Sequence, residues 1–201
     1  MTAVLLFAQS KNEYHELGDF APFGDISLFE WKLTQLLNIF DKKDIFLSTD
    51  KGIKTDINVI NRTKTTFEDI LIEAVEQIEY ENILVANLTS PFISEKIYKD
   101  ILDTFHKKNL SSLVTIEKKK EFIYFENSKN FDKFIDRRKE IKIVTNGVYL
   151  TKRDLILKYQ DLAYNPYLYE LDAFSAMEIK DISSYELLNE MIFLYFKKEL
   201  G

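Results

Sequence analysis

The sequence has no cysteine and only two histidines among its 201 residues. Without cysteine the chain forms neither a disulfide nor a thiolate metal site, and nothing points to an oxidising compartment. The two histidines, His15 and His106, are too few for a histidine-rich metal site. We therefore expect a cytoplasmic protein without a thiolate or histidine-rich metal centre.

An excess of basic charge and a long hydrophobic run are also missing. The chain has 27 basic and 33 acidic residues, a net charge of −6, which argues against a nucleic-acid partner. The apolar run from Ala3 to Ala8 is far shorter than the roughly 20 residues of a membrane-spanning helix. It also lacks the basic leader and the cleavage site of a signal peptide. We expect neither a nucleic-acid partner nor a membrane partner.

Glycine and proline are scarce, with five and three residues, whereas 46% of the residues are hydrophobic and 30% are charged. This balance is typical of a globular protein with a packed core. A length of 201 residues lies within the range of one domain. The sequence therefore predicts a single domain over residues 1–201.

Patterns of buried strands alternate with amphipathic helix patterns through residue 116. The strand patterns are short apolar runs: Ala3–Ala8, Ile45–Ser48, Ile57–Ile60, Asn82–Asn87 and Leu113–Ile116. The helix patterns begin at the N-cap residues Ser27, Thr66 and Ser94. This alternation predicts right-handed βαβ units in an α/β fold of three layers, with a mostly parallel sheet and helices on both faces.

The first two helices can be described in more detail. We expect Trp31 to lie off the apolar stripe of the first helix and to pack at the margin of that stripe. We expect the second helix to continue to about Ile78. The first helix has an apolar stripe with helical spacing, formed by Phe29, Leu33, Leu36, Leu37 and Phe40.

The order of elements loosens after residue 116. Residues 118–142 are charged and irregular, which predicts a protruding arm with a strand from Phe122 to Phe125. Asn146–Gly147 interrupts a later strand pattern, which favours a hairpin turn or a bulge. Ser183 and Glu186 form a capping-box pattern before a terminal helix.

Two polar segments follow strand patterns, where an open α/β sheet binds its ligands. The first is the long loop from Gln9 to Asp25, because a loop of this length that leads into a helix is a natural phosphate site. Its alternative is a disordered connection. The second is Asn87 to Pro91, whose short polar side chains can hydrogen-bond to a base or a ribose. Its alternative is a capped turn.

Signatures of other catalytic classes are absent. The sequence has no legible catalytic triad, no paired-glycine dinucleotide fingerprint and no GxxxxGK[ST] loop. Asp50, Glu178 and Asp181 are candidate ligands of Mg²⁺, which prefers carboxylates, phosphates and water. For each of them a solvated surface carboxylate is the alternative.

Taken in chain order, several segments resemble motifs of the CMP-sialic-acid synthetases, the cytidylyltransferases that activate acidic sugars. Leu5 to Lys11 is similar to the family's A-R-x-G-S-K, and Leu47 to Asp50 is similar to V-S-T-D. Asn87 to Phe92 resembles Q-P-T-S-P-L. Arg137–Arg138, followed by Asn146 to Leu150, resembles R-R-Q and N-G-A-I-Y-I. Each segment is short, and their order along the chain makes the resemblance.

This resemblance implies a nucleotide-diphospho-sugar transferase-like fold that transfers CMP from CTP to a sialic-acid-like sugar, with Mg²⁺ as cofactor and pyrophosphate as product. It also implies a homodimer that exchanges the arm of residues 118–142. Catalysis is assigned to Lys11 and Arg62. Sugar binding is assigned to Asn146, Arg137 and Arg138. The nucleotide is assigned to Ala8, Gln9, Ser10, Asn87, Thr89 and Ser90, and the metal to Asp50, Glu178 and Asp181.

The chain departs from the family pattern in its phosphate loop. Gln9 replaces the arginine of the A-R pair, and Gly18 to Pro22 replaces a K-N pair. The D-x-D motif has no clean counterpart. Because the loss of one well-aimed donor costs about 10²–10³ in rate, the alternative is a catalytically inactive relative that binds a nucleotide or sugar or acts as an assembly partner. A sugar-nucleotide glycosyltransferase ranks last, since no D-x-D follows a predicted strand.

Overall fold

The structure is a computed structural model that describes residues 1–120 and 140–199, with side chains to residue 192. The predicted strand at Phe122–Phe125 and the residues Arg137 and Arg138 lie outside the described residues. The strands are β1 (Thr2–Ala8), β2 (Pro22–Phe23), β3 (Ile26–Ser27), β4 (Ile45–Thr49), β5 (Asn58–Asn61), β6 (Asn82–Ala86), β7 (Ser112–Lys119), β8 (Ile141–Lys152) and β9 (Tyr167–Glu170). The helices are α1 (Leu28–Leu37), α2 (Phe67–Glu76), α3 (Glu95–Lys107), α4 (Arg153–Tyr159) and α5 (Ile182–Glu199).

In the described part of the chain, seven strands form one sheet in the order β5-β4-β1-β6-β8-β7-β9. β1 pairs in parallel with both β4 and β6, and β4 pairs in parallel with β5. β8 runs antiparallel to its neighbours β6 and β7. The prediction of a mostly parallel sheet is confirmed, and the carboxyl ends of β1, β4, β5 and β6 lie at one edge.

The helices cover both faces of this sheet, as predicted. Successive residues of β1 point to opposite sides: Val4 and Leu6 pack with α1, α3 and α5, whereas Ala3 and Leu5 pack with α2 and α4. A strand covered on both faces needs a continuous apolar run, which β1 has. No helix in the described ranges is long and apolar enough to cross a membrane.

Helix α1 buries a wider face than the predicted stripe. Phe29 and Leu36 of the stripe are buried, and Leu33 and Phe40 pack against the core, whereas Leu37 is exposed. Trp31 and Lys32, outside the stripe, are buried as well. The expectation that Trp31 packs at the margin was wrong, because its indole Nε1–H donates to the buried carbonyl of Pro91 at 2.8 Å. The inward face of α1 therefore combines apolar packing with polar contacts to a neighbouring loop.

The predicted N-caps agree with the structure except at α5. Thr66 and Ser94 accept hydrogen bonds from backbone N–H groups of α2 and α3, and α2 ends two residues before the predicted Ile78. At α5 the predicted Ser183–Glu186 capping box was wrong. The carboxylate of Asp181 accepts the backbone N–H of Ser184 at 2.8 Å instead.

Asn146–Gly147 lies inside β8 and forms a bulge rather than a hairpin turn. The pairing register between β7 and β8 shifts between Val114 and Ile116. The hydroxyl of Thr115 fills the irregularity, because it accepts the backbone N–H of Val148 at 2.9 Å. A bulge of this kind redirects neighbouring side chains, and it places Asn146 at the edge of the sheet beside β6.

The loop after β1 is a packed segment rather than a disordered connection. Tyr14, Asp19 and Ala21 are buried, and residues 18–20 form a 3₁₀ turn. Gly18 has a φ of +55°, and a Cβ at this position would lie 2.1 Å from the carbonyl oxygen of Gln9. Only glycine fits here, since the loop folds back directly onto the end of β1.

We expect Gly18→Ala to lower the free energy of unfolding by about 2 kcal/mol or more, because both the positive φ and the contact with Gln9 oppose a side chain. Gly52→Ala is the matched control, since nothing lies within 4 Å of a Cβ there. Urea denaturation of the two variants measures the difference. Equal stabilities would contradict the close approach of the loop to β1.

Candidate functional site

A cleft opens at the edge of the sheet where β1, β4, β5 and β6 end. Its first cavity has a volume of about 340 Å³. The residues after these strands form much of its wall, as expected for an open α/β sheet. They include Gln9, Asp19, Arg62, Asn87 and Thr89, together with the rings of Phe7, Tyr14 and Phe67.

A buried carboxylate closes the loop at the end of β1. The backbone N–H of Gln9 donates to Asp19 Oδ2 at 2.7 Å, and the N–H of Asp19 donates to the Gln9 carbonyl at 2.9 Å. The Tyr14 hydroxyl donates to Asp19 Oδ1 at 2.6 Å. We call these three contacts the Asp19 clasp. Asp19 is only 7% exposed; this burial raises the pKa of its carboxyl, and the two hydrogen bonds it accepts oppose that shift.

The next residue is also bound to a carboxylate. Ser10 donates its backbone N–H to Asp50 Oδ1 and its hydroxyl to Asp50 Oδ2, both at 2.8 Å. Lys11 is exposed and lines neither this cavity nor the second one described below. Among the described residues, carboxylates therefore accept the backbone N–H groups of both Gln9 and Ser10. One carboxylate belongs to the loop and the other follows β4.

Arg62 brings a positive charge into the first cavity. Its Nε donates to the Ser48 hydroxyl at 3.1 Å, and its Nη2 donates to the Ser48 carbonyl at 2.8 Å. Its guanidinium lies 5.7 Å from the ring centroid of Phe7. Burial lowers the pKa of Arg62, and the nearby charges of Asp50 and Asp19 oppose this shift. The guanidinium keeps its charge at any physiological pH.

The turn after β6 lies beside the bulge of β8. The Asn87 side chain donates to the Asn146 carbonyl, and its backbone N–H donates to the Gly147 carbonyl at 3.2 Å. The Thr89 carbonyl accepts the N–H of Ile179 at 2.8 Å. Asn87 and Thr89 line the cleft, whereas Ser90 and Ala8 are buried and do not line it.

A second cavity of about 420 Å³ adjoins the first. The two share Phe67, Asn87 and Thr89 as walls. Asn146 and Tyr149 line the second cavity, and the Tyr149 hydroxyl donates to Asn146 Oδ1 at 3.2 Å. Its charged wall residues, among those described, are the acids Glu68 and Asp161.

The three candidate metal ligands occupy separate positions. Asp50 is bound to Ser10, Glu178 accepts the side-chain N–H of Asn146 at 2.5 Å, and Asp181 caps α5. The described residues contain no group of three or more side chains that could hold a metal ion. They therefore do not fit a metal held by protein ligands alone. A nucleotide-bound Mg²⁺ needs only one or two carboxylates besides the phosphates.

Side chains of helix α1 donate hydrogen bonds to the turn of residues 87–91, which follows β6. Trp31 Nε1 and Gln35 Nε2 donate to the Pro91 carbonyl at 2.8 and 3.1 Å. Lys32 Nζ donates to the Ser90 carbonyl at 2.7 Å and to the Tyr98 hydroxyl at 3.1 Å. Lys32 is fully buried, and this burial lowers its pKa to about 7.

Sequence reasoning missed Lys32, Asp19 and Tyr14. The position of Lys32 between Phe29 and Leu36 on the inward face of a helix is a signal that could have identified it. No local pattern distinguishes Asp19, because its partners at Gln9 and Tyr14 are fixed by the folding of the loop. Four predicted site residues line the first cavity together: Gln9, Arg62, Asn87 and Thr89.

No protein-family model and no curated protein sequence matches the chain. Solved structures do match. The 4-diphosphocytidyl-2C-methyl-D-erythritol synthase of Anaerococcus prevotii has a TM-score of 0.74 at 15% identity, over 96% of this chain and 98% of that one. A CMP:2-keto-3-deoxy-manno-octonic acid synthetase complexed with CTP has a TM-score of 0.75 at 10% identity, over 96% and 99%.

A third structure, the 2-C-methyl-D-erythritol 4-phosphate cytidylyltransferase of Thermus thermophilus, has a TM-score of 0.67 at 13% identity, over 94% of this chain and 98% of that one. The chain therefore has a nucleotide-diphospho-sugar transferase-like fold, in common with cytidylyltransferases. None of these three structures is a CMP-sialic-acid synthetase. The comparisons support the wider fold and not that particular family.

Lys32 predicts a pH dependence of stability. Its pKa is about 7 in the folded protein, against an ordinary value of 10.5 for an exposed lysine, so the unfolded chain binds more protons between these values. The cost of burying the charged lysine is therefore largest below about pH 7. Between the two pKa values the free energy of unfolding rises with pH, by about 1.4 kcal/mol per pH unit. We expect Lys32→Met to remove this rise, as measured by urea denaturation between pH 7 and 9.

Lys99→Met, on the exposed face of α3, is the control and should keep the dependence of the wild type. Identical pH profiles for Lys32→Met and the wild type would contradict a buried lysine that titrates in this range.

Proposed function

We propose that the chain binds a cytidine nucleotide in the first cavity and transfers its CMP group to a hydroxyl of an acceptor in the second. The observation that carries this proposal is the sharing of Asn87 and Thr89 between two adjoining cavities. A transferase needs its two substrates side by side. The similarity to a synthetase complexed with CTP supports cytidine as the base.

The proposed nucleotide contacts follow from the chemistry of the first cavity. Asn87 and Thr89 offer hydrogen-bond donors and acceptors to the base or ribose. Phe7 and Phe67 pack edge to face, with ring centroids 5.4 Å apart, and supply an apolar wall. Arg62 would contact the phosphates, since guanidinium groups match phosphate geometry.

The remaining roles stay predictions. Gln9, Ser10 and Lys11 would lie on the phosphate side, because they follow β1 directly. Mg²⁺ bound with the nucleotide would neutralise phosphate oxygens, and Asp50 stays the predicted carboxylate for it. The homodimer rests on the resemblance alone.

In the proposed reaction, the acceptor hydroxyl attacks the α-phosphorus in line. A new P–O bond forms, the bond to the β-phosphate breaks, and pyrophosphate leaves while the hydroxyl proton passes to solvent or a base. Such a reaction depends mainly on positioning and on the neutralisation of charge. Arg62 would neutralise charge, and Asn87 would position the nucleotide.

An acidic sugar is the proposed acceptor, as the resemblance implies and as the name of the octonic acid synthetase supports. Asn146 and Tyr149 would hold its hydroxyl groups. Glu68 and Asp161 oppose an anion in the second cavity, so Arg137 and Arg138 would have to offset them. The panel of acceptors to be tested therefore contains acidic sugars and, for comparison, a neutral polyol.

A second candidate function is nucleotide binding without catalysis. The observation that favours it is the binding of both Gln9 and Ser10 backbone N–H groups to internal carboxylates. These are the donors that a triphosphate would otherwise use. Such a relative would bind the nucleoside part and release no pyrophosphate.

Asn87→Ala should weaken cytidine-nucleotide binding by a factor between about two and ten, since one hydrogen bond contributes about 0.5–1.4 kcal/mol. Isothermal titration calorimetry with CTP and Mg²⁺ measures the affinity. Asn38→Ala, at the exposed end of α1, is the matched control. An unchanged affinity in Asn87→Ala would place the nucleotide elsewhere.

Transfer itself is tested by pyrophosphate release with CTP and the acceptor panel. Release that depends on an acceptor and is lost by about 10² or more in Arg62→Met supports the transferase. Binding of CTP without release with any acceptor favours the second candidate. Saturating nucleotide that gives no increase in melting temperature would contradict both, because a ligand of the native state must stabilise it.

A further inference from the structure

We propose that Asp19 is an internal anion that occupies the phosphate-binding backbone of the loop, and that it thereby selects against polyphosphate ligands. Nucleosides and ligands with little phosphate charge would bind with the Asp19 clasp closed. A triphosphate would bind only when the clasp opens. The proposal deepens the proposed function, because it defines which phosphate chemistry the first cavity accepts.

The first argument is the position of the carboxylate. Asp19 Oδ2 lies 2.7 Å from the backbone nitrogen of Gln9, on the wall of the first cavity. A hydrogen bond from a backbone N–H to a carboxylate is charge-assisted, as is one to a phosphate. The carboxylate therefore already fills the place that a phosphate oxygen would take at this donor.

The second argument is that the clasp is built into the fold. The returning hydrogen bond from Asp19 N–H to the Gln9 carbonyl and the buried Tyr14 hydroxyl hold the carboxylate from two sides. Tyr14 in turn stacks on Tyr185 of α5, with ring centroids 5.5 Å apart. Gly18 allows the close approach that brings these groups together. An opened clasp would leave a carboxylate and a phenol without their partners.

The third argument is the balance of charge. Asp50 binds Ser10 in the same way, so two successive backbone N–H groups hold two carboxylates. Arg62 is the cation that lines the first cavity among the described residues. A polyphosphate in this cavity would therefore meet one guanidinium and the Asp19 carboxylate, with a second carboxylate bound to the next residue of the loop. A phosphate that displaces Asp19 replaces one charge-assisted hydrogen bond to the Gln9 N–H by another. The phosphate and the displaced carboxylate also repel each other, so the exchange does not raise the affinity for polyphosphate.

Inorganic tripolyphosphate is the probe, because it reports on the phosphate side of the cleft without needing the base. Its affinity is measured by calorimetry for the wild type, Asp19→Asn and Asp19→Ala. We expect both variants to bind it at least tenfold more tightly than the wild type. Asp25→Asn removes one exposed negative charge from the same loop and should change the affinity less than twofold.

Equal affinities in the wild type and both Asp19 variants would overturn the proposal, as would an equal gain in Asp25→Asn. Should the Asp19 variants fail to fold, Asp50→Ala decides the question, because Asp50 is exposed and the substitution removes the carboxylate that accepts the backbone N–H of Ser10. The same tightening is expected there, and its absence would contradict the role of the internal carboxylates.

Cytidine and CTP separate this proposal from the proposed function. We expect Asp19→Asn to raise the affinity for CTP at least tenfold and to change that for cytidine less than threefold. A gain with tripolyphosphate together with no binding of cytidine or CTP would reject the cytidine site and keep the role of Asp19. Binding of cytidine and CTP, with no gain in tripolyphosphate affinity in the Asp19 variants, would keep the cytidine site and reject the role of Asp19.

Discussion

The parallel pairing of β1 with both β4 and β6 is the constraint on which the site depends. It brings the carboxyl ends of these strands to one edge of the sheet, and the residues that follow them become neighbours in space. Gln9, Arg62 and Asn87 are far apart in the sequence and line the same cavity for this reason. The continuous apolar run of β1 makes this pairing favourable, since it is buried by helices on both faces.

Two buried polar contacts then shape the loops at that edge. The Asp19 clasp folds the loop after β1 onto its own beginning. Lys32 and its neighbours on α1 hold the turn after β6 through the carbonyls of Ser90 and Pro91. Both contacts are made by ionisable groups taken out of water, which is favourable only where their hydrogen bonds are satisfied. Lys32 and Asp19 therefore help to determine the shape of the cleft, in addition to the side chains that would contact a ligand.

The Asp19 clasp lies in the loop where the sequence departs from the family pattern that it resembles. The motif segments after β1, β4 and β6 do lie together, and the fold is one that cytidylyltransferases share. In the loop after β1, however, carboxylates hold the backbone groups that a phosphate would use. The basic residues expected there are reduced, in the described part, to Arg62 within the cavity.

The sequence by itself determined the layered α/β fold, because buried strands and amphipathic helices leave patterns of apolar residues that can be read locally. It also determined that Asn87 and Arg62 follow strands of the sheet. Only the tertiary structure decided that Lys32 donates to the Ser90 carbonyl and that Asp19 holds the backbone of Gln9. The reason is physical: the partner of a buried polar group is chosen by where the chain folds back, and a local pattern contains no information on that return.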